Sequence, residues 1–259
     1  MSIVLANAAF GDDPQRWPLP PAATPHELWL RAVAAGGQGR YGSAMADLTD
    51  LCRRQRGGPL VSLAHSTQAS FLRQLGWHDR ARRWDGRAMA LAGSDQEAGA
   101  DALIGLAADA LGVGRFAASA TALRRADELV TGPRLPVRLA WVSAELAMAC
   151  GDGATAMEHA GRAVELAAAF GSARHAVKSE AIRAAALCSA GEIDGSRRVA
   201  DAALRDAERL GMIPLRWALA CLLADIGSGR HSAPEVLKIR NECAATVRRR
   251  GGDLAGRRQ

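Results

Sequence analysis

The sequence has little of what marks membrane-spanning, disulfide-stabilised or β-sheet proteins. No apolar run approaches the roughly 18 residues that a membrane-spanning helix needs, and the longest candidate, Trp217–Ala224, is far shorter. The five cysteines are odd in number, far apart and without a Cys-x-x-Cys pair. We therefore expect no disulfide framework and a reducing, cytoplasmic location. Aromatic residues make up only 4% of the chain and β-branched residues are sparse, which disfavours strands.

Positive charge is concentrated at the C-terminal end of the chain. The net charge is +6, and residues 246–259 carry five arginines and one aspartate, a net +4, which leaves +2 for the first 245 residues. We interpret residues 249–259 as a basic, disordered tail. The run of Arg248, Arg249 and Arg250 could bind phosphates or an acidic partner, or it could simply be a solvated chain end.

What the chain does have is alanine, more than a fifth of all residues, and glycine at regular intervals. Two glycine series recur with steps of 36 to 40 residues: Gly39, Gly76, Gly114, Gly151, Gly191 and Gly227, and Gly57, Gly93, Gly132, Gly171, Gly211 and Gly251. Glycine is the usual residue just past the end of a helix. Two helix ends in each period predict one helical hairpin per repeat.

The spacing within each hairpin resembles the tetratricopeptide repeat. If the first glycine series marks the family's turn, its small-residue position in the middle of the first helix is alanine six times: Ala32, Ala69, Ala107, Ala144, Ala184 and Ala220. The family's small position at the start of the second helix falls on Ala44, Ala81, Ser119, Ala156, Ser196 and Ser232. Its next crossing position falls on Leu51, Ala88, Ala126, Ala163, Ala203 and Ile239. Helices approach to about 8 Å only where side chains are small.

This resemblance implies an all-α fold, a right-handed superhelical solenoid of about six helix-turn-helix repeats over residues 24–248. Residues 1–23 are expected to form a proline-containing arm without a regular helix, because Pro14, Pro18, Pro20 and Pro21 lie there. The repeats are longer than the family's usual length of about 34 residues. The turn of the sixth repeat is disturbed by Gly229 and Pro234.

The motifs that would indicate catalysis or a cofactor are weak. Loose G-x-G-x-x-A patterns begin at Gly112 and Gly151, but both fall at repeat turns rather than after a strand. No two of the six histidines have the i, i+4 spacing of a helical zinc site, and no G-x-S-x-G motif occurs. We therefore predict a protein that is not an enzyme, with no cofactor and no metal.

In repeat stacks of this kind, the first helices of the hairpins line a concave groove. The family's register gives eight groove candidates: Trp29, Arg73, Arg138, Trp141, Glu145, Lys178, Trp217 and Asp225. Tryptophan and arginine are the residue types that dominate binding energy at interfaces. Two interpretations remain open for Trp141 and Trp217, namely ligand anchors or core between neighbouring hairpins.

The resemblance implies a non-catalytic scaffold or adaptor that binds a protein or peptide partner in the groove. The family's carboxylate clamp, built from Lys and Asn pairs, is missing, because the only asparagines are Asn7 and Asn241. The alternative is a regulatory protein in transcription or signalling, acting through a partner or through weak nucleic-acid contact by the arginine-rich tail. Nucleic acid is the less favoured partner, and we expect no membrane contact.

Overall fold

The computed structural model describes residues 2–255, and within that range every regular element is an α-helix. The described range contains thirteen helices: α1 (Ile3–Phe10), α2 (Pro25–Gly37), α3 (Tyr41–Arg54), α4 (Pro59–Gln74), α5 (His78–Ala92), α6 (Gln96–Gly112), α7 (Phe116–Asp127), α8 (Arg134–Ala149), α9 (Gly153–Phe170), α10 (Ala173–Ser189), α11 (Ile193–Arg209), α12 (Ile213–Ile226) and α13 (Ala233–Arg249).

Capping residues and glycines mark where these helices begin and end. At α2, Thr24 and Glu27 form a reciprocal capping box ahead of Pro25, and Ser232 with Glu235 does the same at α13. All six glycines of the first series have φ between +72° and +90°, and five of the second series also have positive φ. In the remaining case Gly58, rather than Gly57, has the positive φ. Ten of the twelve glycines lie one or two residues past the end of a helix, as predicted, whereas Gly57 and Gly132 lie three and five residues past the ends of α3 and α7.

The helices pack against their neighbours in chain order. Each even-numbered helix from α2 to α12 packs against the odd-numbered helix that follows it, and it also contacts the next even-numbered helix. The six alanines predicted to lie at mid-helix crossings are all completely buried. Small side chains thus stand where helices approach most closely. We call the sides of the even-numbered helices that carry the groove candidates the inner face.

The last helix pair departs from this register by four residues. In five hairpins the second helix begins two residues after the glycine, as Tyr41 follows Gly39, but α13 begins six residues after Gly227. The predicted small positions are correspondingly exposed or half-buried at Ser232 and Ile239. Val236 and Cys243, four residues further on, are buried instead. The four extra residues include Gly229. The expected disturbance of the turn is therefore a four-residue shift in the residues that α13 buries.

The N-terminal arm contains a helix, contrary to our expectation for residues 1–23. The prolines lie after it, so they do not prevent α1 from forming, and Ser2 caps its first turn. Leu5, Ala8 and Ala9 of this helix are buried, and α1 contacts both α2 and α10. The helix therefore bridges two parts of the chain that are far apart in sequence.

The C-terminal segment differs from the predicted disordered tail. Arg248 and Arg249 form the last turn of α13, and residues 250–255 lie against the first two helix pairs. Gly42 N donates to the Arg250 carbonyl at 2.9 Å, and Ala255 N donates to the Leu75 carbonyl at 2.8 Å. Residues 250–255 thus contact the first two helix pairs. Residues 256–259, with Arg257 and Arg258, lie outside the described residues.

Across residues 2–255, no helix has both the length and the apolar character that crossing a bilayer requires.

Candidate functional site

Most of the predicted groove residues lie in contact with other side chains of the same chain. Arg73, Arg138, Glu145 and Lys178 all form ion pairs, and the indole nitrogens of Trp29 and Trp141 both donate hydrogen bonds. Trp217 is half-buried on α12, and Asp225 is exposed near the end of that helix. The inner face is therefore largely an internal network, with its accessible part at α12.

Arg73 is the centre of an acid-rich cluster between α4, α5 and α6. Its guanidinium contacts the Asp85 carboxylate and lies 2.9 Å from Asp109 Oδ1. Both aspartates are completely buried. Burial, with Asp109 nearby, raises the pKa of Asp85 to about 8 even though Arg73 opposes the shift. We call Arg73, Asp85 and Asp109 the Arg73 cluster.

A glycine in α6 makes room for this cluster. A Cβ at Gly105 would overlap the Asp85 carboxyl group. The Gly105 carbonyl also accepts a 3.4 Å hydrogen bond from Arg73. Glycine in a helix interior costs about 1 kcal/mol relative to alanine. Its presence here is explained by the side chain that it admits.

Asp101 is the centre of a second cluster, in which arginine predominates. Its carboxylate contacts Arg138 and lies 3.2 Å from Arg134 Nη2, which is also 3.1 Å from Glu97 Oε1. Asp101 is buried, yet its pKa is lowered, because Arg134 and Arg138 together outweigh the effect of burial. We call Asp101, Arg134, Arg138 and Glu97 the Asp101 cluster.

Arg174 adds a further positive charge beside the Asp101 cluster. None of the ion pairs among residues 2–255 includes it, and its Nη1 donates a 3.4 Å hydrogen bond to the Val33 carbonyl. Burial first, and then the positive charges of Arg134 and Arg138, lower the pKa of Arg174 to about 10. This part of the inner face therefore carries an excess of positive charge.

Phe10, at the end of α1, fills the space in front of these arginines. Its ring lies 5.4 Å from the Trp29 ring and 6.1 Å from the His175 ring. The guanidinium carbons of Arg134 and Arg174 lie 5.9 and 5.6 Å from its ring centroid, within the range of cation–π attraction. The Gly11 carbonyl accepts a 3.0 Å hydrogen bond from Ala173 N, which fixes the end of α1 at the start of α10.

The tryptophans at the first and fourth repeat positions make equivalent contacts. Trp29 Nε1 donates to Thr67 Oγ1 at 2.9 Å, and Trp141 Nε1 donates to Ser179 Oγ at 2.8 Å. In both cases the hydroxyl lies 38 residues further along the chain. Trp29 is only 6% exposed. These contacts join neighbouring helix pairs.

His175 lies among the aromatic rings next to Trp141. It stacks on the Trp141 ring at 5.2 Å, and its Nδ1 lies 2.8 Å from Ser172 Oγ. Burial and the positive charges of Arg174, Arg134 and Arg138 lower the pKa of His175 well below its ordinary value. The imidazole is therefore neutral at physiological pH.

Sequence reasoning missed Phe10, Asp85, Asp109, Arg134, Arg174 and His175. Some of them left a signal in the spacing of opposite charges. Arg73 and Asp109 are 36 residues apart, and Glu97 and Arg134 are 37 apart, close to one repeat period. Opposite charges separated by one period on successive first helices indicate contact across the inner face. The contacts of Phe10 left no such signal.

The chemistry of these groups fits a structural role better than a reactive one. Asp85 and Asp109 are sealed from solvent and bonded to Arg73, so no substrate reaches them. Among the described residues, no three His, Cys, Asp or Glu side chains converge in a way that could hold a metal ion. No protein-family model matches the chain, and comparison with curated proteins finds no recognisable relative.

Proposed function

We propose that the protein is a non-catalytic scaffold that binds a protein or peptide partner along its inner face. In this proposal the twelve helices α2–α13 form a right-handed solenoid of six hairpins of the tetratricopeptide type, preceded by α1. The repeated buried alanines and the consecutive contacts of the even-numbered helices support that interpretation. The register shift at α13 makes the sixth hairpin irregular.

The observation that carries the proposal is that the inner face already holds a short apolar helix. Helix α1 lies against α2 and α10, and its terminal Phe10 sits among aromatic rings and guanidinium groups. A groove that accommodates one helix of this kind has the dimensions and chemistry for another. The proposed partner therefore contacts α1 or extends from it towards α12.

The accessible part of the inner face lies at α12, next to a partly exposed ion pair between α8 and α10. Lys178 and Glu145 form a pair that is about one-third exposed, 3.2 Å apart. Trp217 is half-buried and Asp225 is exposed on the neighbouring helix α12. An aromatic ring flanked by charges of both signs is typical of binding surfaces for polar peptides.

Site-specific photo-cross-linking in cells tests this assignment. A cross-linking amino acid at position 217 or 225 is expected to capture a partner protein, which mass spectrometry then identifies. The same amino acid at Arg198 or Glu165, which are exposed on the odd-numbered helices, is the matched control. Capture from positions 198 and 165 but not from 217 and 225 would place binding elsewhere and refute the inner-face proposal.

A further inference from the structure

The junction between the two ends of the chain forms a basic surface with an exposed aromatic ring. Gln38, which is almost completely buried, organises it. Its Nε2 donates 2.9 Å hydrogen bonds to the carbonyls of Pro14 and Arg16. Its Oε1 accepts from Arg40 Nε at 3.3 Å, and its own carbonyl accepts from Arg250 Nη1 at 2.7 Å. The side chain and backbone of Gln38 together thus join the N-terminal segment, the turn after α2 and the residue that follows α13.

Trp17 provides the aromatic ring of this surface. The Arg40 guanidinium carbon lies 3.6 Å from the ring centroid, so it covers one face of the indole. Trp17 is nevertheless 45% exposed. Almost half of the Trp17 surface is therefore available to a second flat group. We call Trp17, Arg40, Arg248, Arg249 and Arg250 the seam surface.

The arginines of the seam surface lack acidic partners. Within residues 2–255, no ion pair includes Arg40, Arg248, Arg249 or Arg250, and Arg248 and Arg249 are exposed. Burial and the charge of Arg250 lower the pKa of Arg40, and burial and Arg249 lower that of Arg250. Arg40, Arg250 and Arg249 are thus close enough to repel one another, and such a cluster attracts an anion from solution.

We propose that the seam surface binds single-stranded nucleic acid, with a base stacked on Trp17 and phosphates held by Arg40, Arg248, Arg249 and Arg250. Arginine forks bind phosphate and carboxylate groups equally well. The exposed indole favours nucleic acid over an acidic peptide. A flat base can stack on the indole, whereas the carboxylate side chains of an acidic peptide cannot. The seam surface and the groove candidates share no residue, so the scaffold proposal and the seam proposal can be tested independently.

Fluorescence anisotropy of labelled 12-nucleotide RNA and DNA strands measures the interaction directly. We expect saturable binding at low salt, weaker binding of a duplex of the same sequence, and a loss of affinity as salt rises. Each phosphate contact to a single strand contributes about −0.7 to the slope of log affinity against log salt. Removal of two contacts therefore reduces the slope by about 1.4.

Three variants separate stacking from charge. Trp17→Leu removes the flat ring and is expected to weaken single-strand binding on the order of tenfold, whereas Trp17→Tyr retains most of it. The double variant Arg248→Ala with Arg249→Ala is expected to reduce both affinity and salt slope. Its matched control is Arg82→Ala with Arg83→Ala, two exposed arginines on α5 that lie outside the seam surface. Thermal melting followed by circular dichroism establishes that each variant is folded.

Four outcomes would overturn the proposal. They are no anisotropy change at low salt, an equal loss of affinity in the α5 control, no difference between Trp17→Leu and Trp17→Tyr, or stronger competition by a glutamate-rich peptide than by an unlabelled strand. The last outcome would assign the surface to an acidic protein partner instead.

Discussion

The two charge clusters differ in how many arginines approach each buried aspartate. The Arg73 cluster sets one arginine against two aspartates, whereas the Asp101 cluster sets two arginines against one buried aspartate and the half-exposed Glu97. Asp85 and Asp101 are both buried to 2% exposure or less. The pKa of Asp85 is raised to about 8, while that of Asp101 is lowered.

This contrast shows that burial alone does not decide the charge state of a carboxyl group. Burial acts in the same direction on both groups, raising the pKa by destabilising the charged form. The neighbours differ: Asp85 shares a single guanidinium with Asp109, and Asp101 is approached by Arg134 and Arg138. We therefore expect Asp85 to be largely protonated at neutral pH and Asp101 to be ionised.

The largest loss of stability is expected when Asp101 is replaced by asparagine, with the same replacement of Asp85 for comparison. Asp101→Asn leaves Arg134 and Arg138 without their buried counter-ion, and loss of one partner from a buried ion pair costs about 3–5 kcal/mol. Asp85→Asn replaces a largely neutral carboxyl by a neutral amide that still accepts from Arg73, so we expect a cost below about 1 kcal/mol. Urea denaturation at pH 7 measures both free energies of unfolding. Equal costs for the two variants would contradict the difference in charge state.

A smaller loss of stability is expected from a substitution at Gly105, the glycine that leaves space for the Asp85 carboxyl group. Gly105→Ala places a methyl group against the Asp85 carboxyl, and overpacking of this kind costs about 1–3 kcal/mol. The control is Gly161→Ala within α9, where an added Cβ meets nothing within 4 Å. That change is expected to stabilise the protein by about 0.5–1 kcal/mol, because alanine is the better helix former. If both substitutions change the free energy of unfolding in the same direction, Gly105 is not needed to make room for Asp85.

The all-helical fold and most of its helix ends were predictable from the sequence because their signals are local and recur. A glycine after each helix and an alanine at each crossing are determined within one hairpin, so six copies reinforce each other. For the last helix pair, the sequence predicted a disturbed turn but not where α13 begins. Its four-residue shift required knowing that Val236 takes the place of Ser232.

The clusters and the position of α1 were not predictable in the same way. Asp85 is on a second helix, where the repeat pattern indicates no special position, and its partner Asp109 lies in the next hairpin. Phe10 meets His175 across most of the chain length. Such contacts depend on how the whole chain curves, and no periodicity in the sequence encodes that curvature. The side chains that contact the groove candidates, such as Phe10 and Thr67, were not predicted.

The pH dependence of stability sharpens the comparison between the clusters. Because burial raises the pKa of Asp85 to about 8, the folded protein holds this proton more tightly than the unfolded chain does. The stabilisation from Asp85 is complete below about pH 4 and is lost as the pH rises through about 8. One proton changes stability by at most about 1.4 kcal/mol per pH unit. Asp85→Asn should remove this decline between pH 5.5 and 7, as urea denaturation at each pH would measure. An unchanged slope would mean that Asp85 is ionised throughout.

The smallest change in stability is expected from His175. Its titration reports on the arginines of the Asp101 cluster and on Arg174, and not on the Arg73 cluster. Burial and Arg174 lower its pKa, so the unfolded chain takes up this proton first. Stability is complete above about pH 6.5 and falls as the pH drops below that value. His175→Gln keeps a polar partner for Ser172 and is expected to flatten the decline between pH 6.5 and 5.5, an effect of up to about 1 kcal/mol over that interval. Arg174→Met should produce a partial flattening, since it removes one of the charges that oppose protonation. His26→Gln, at an exposed position on α2, is the control. If His175→Gln and His26→Gln alter the slope equally, the arginines do not act on His175 as the geometry implies.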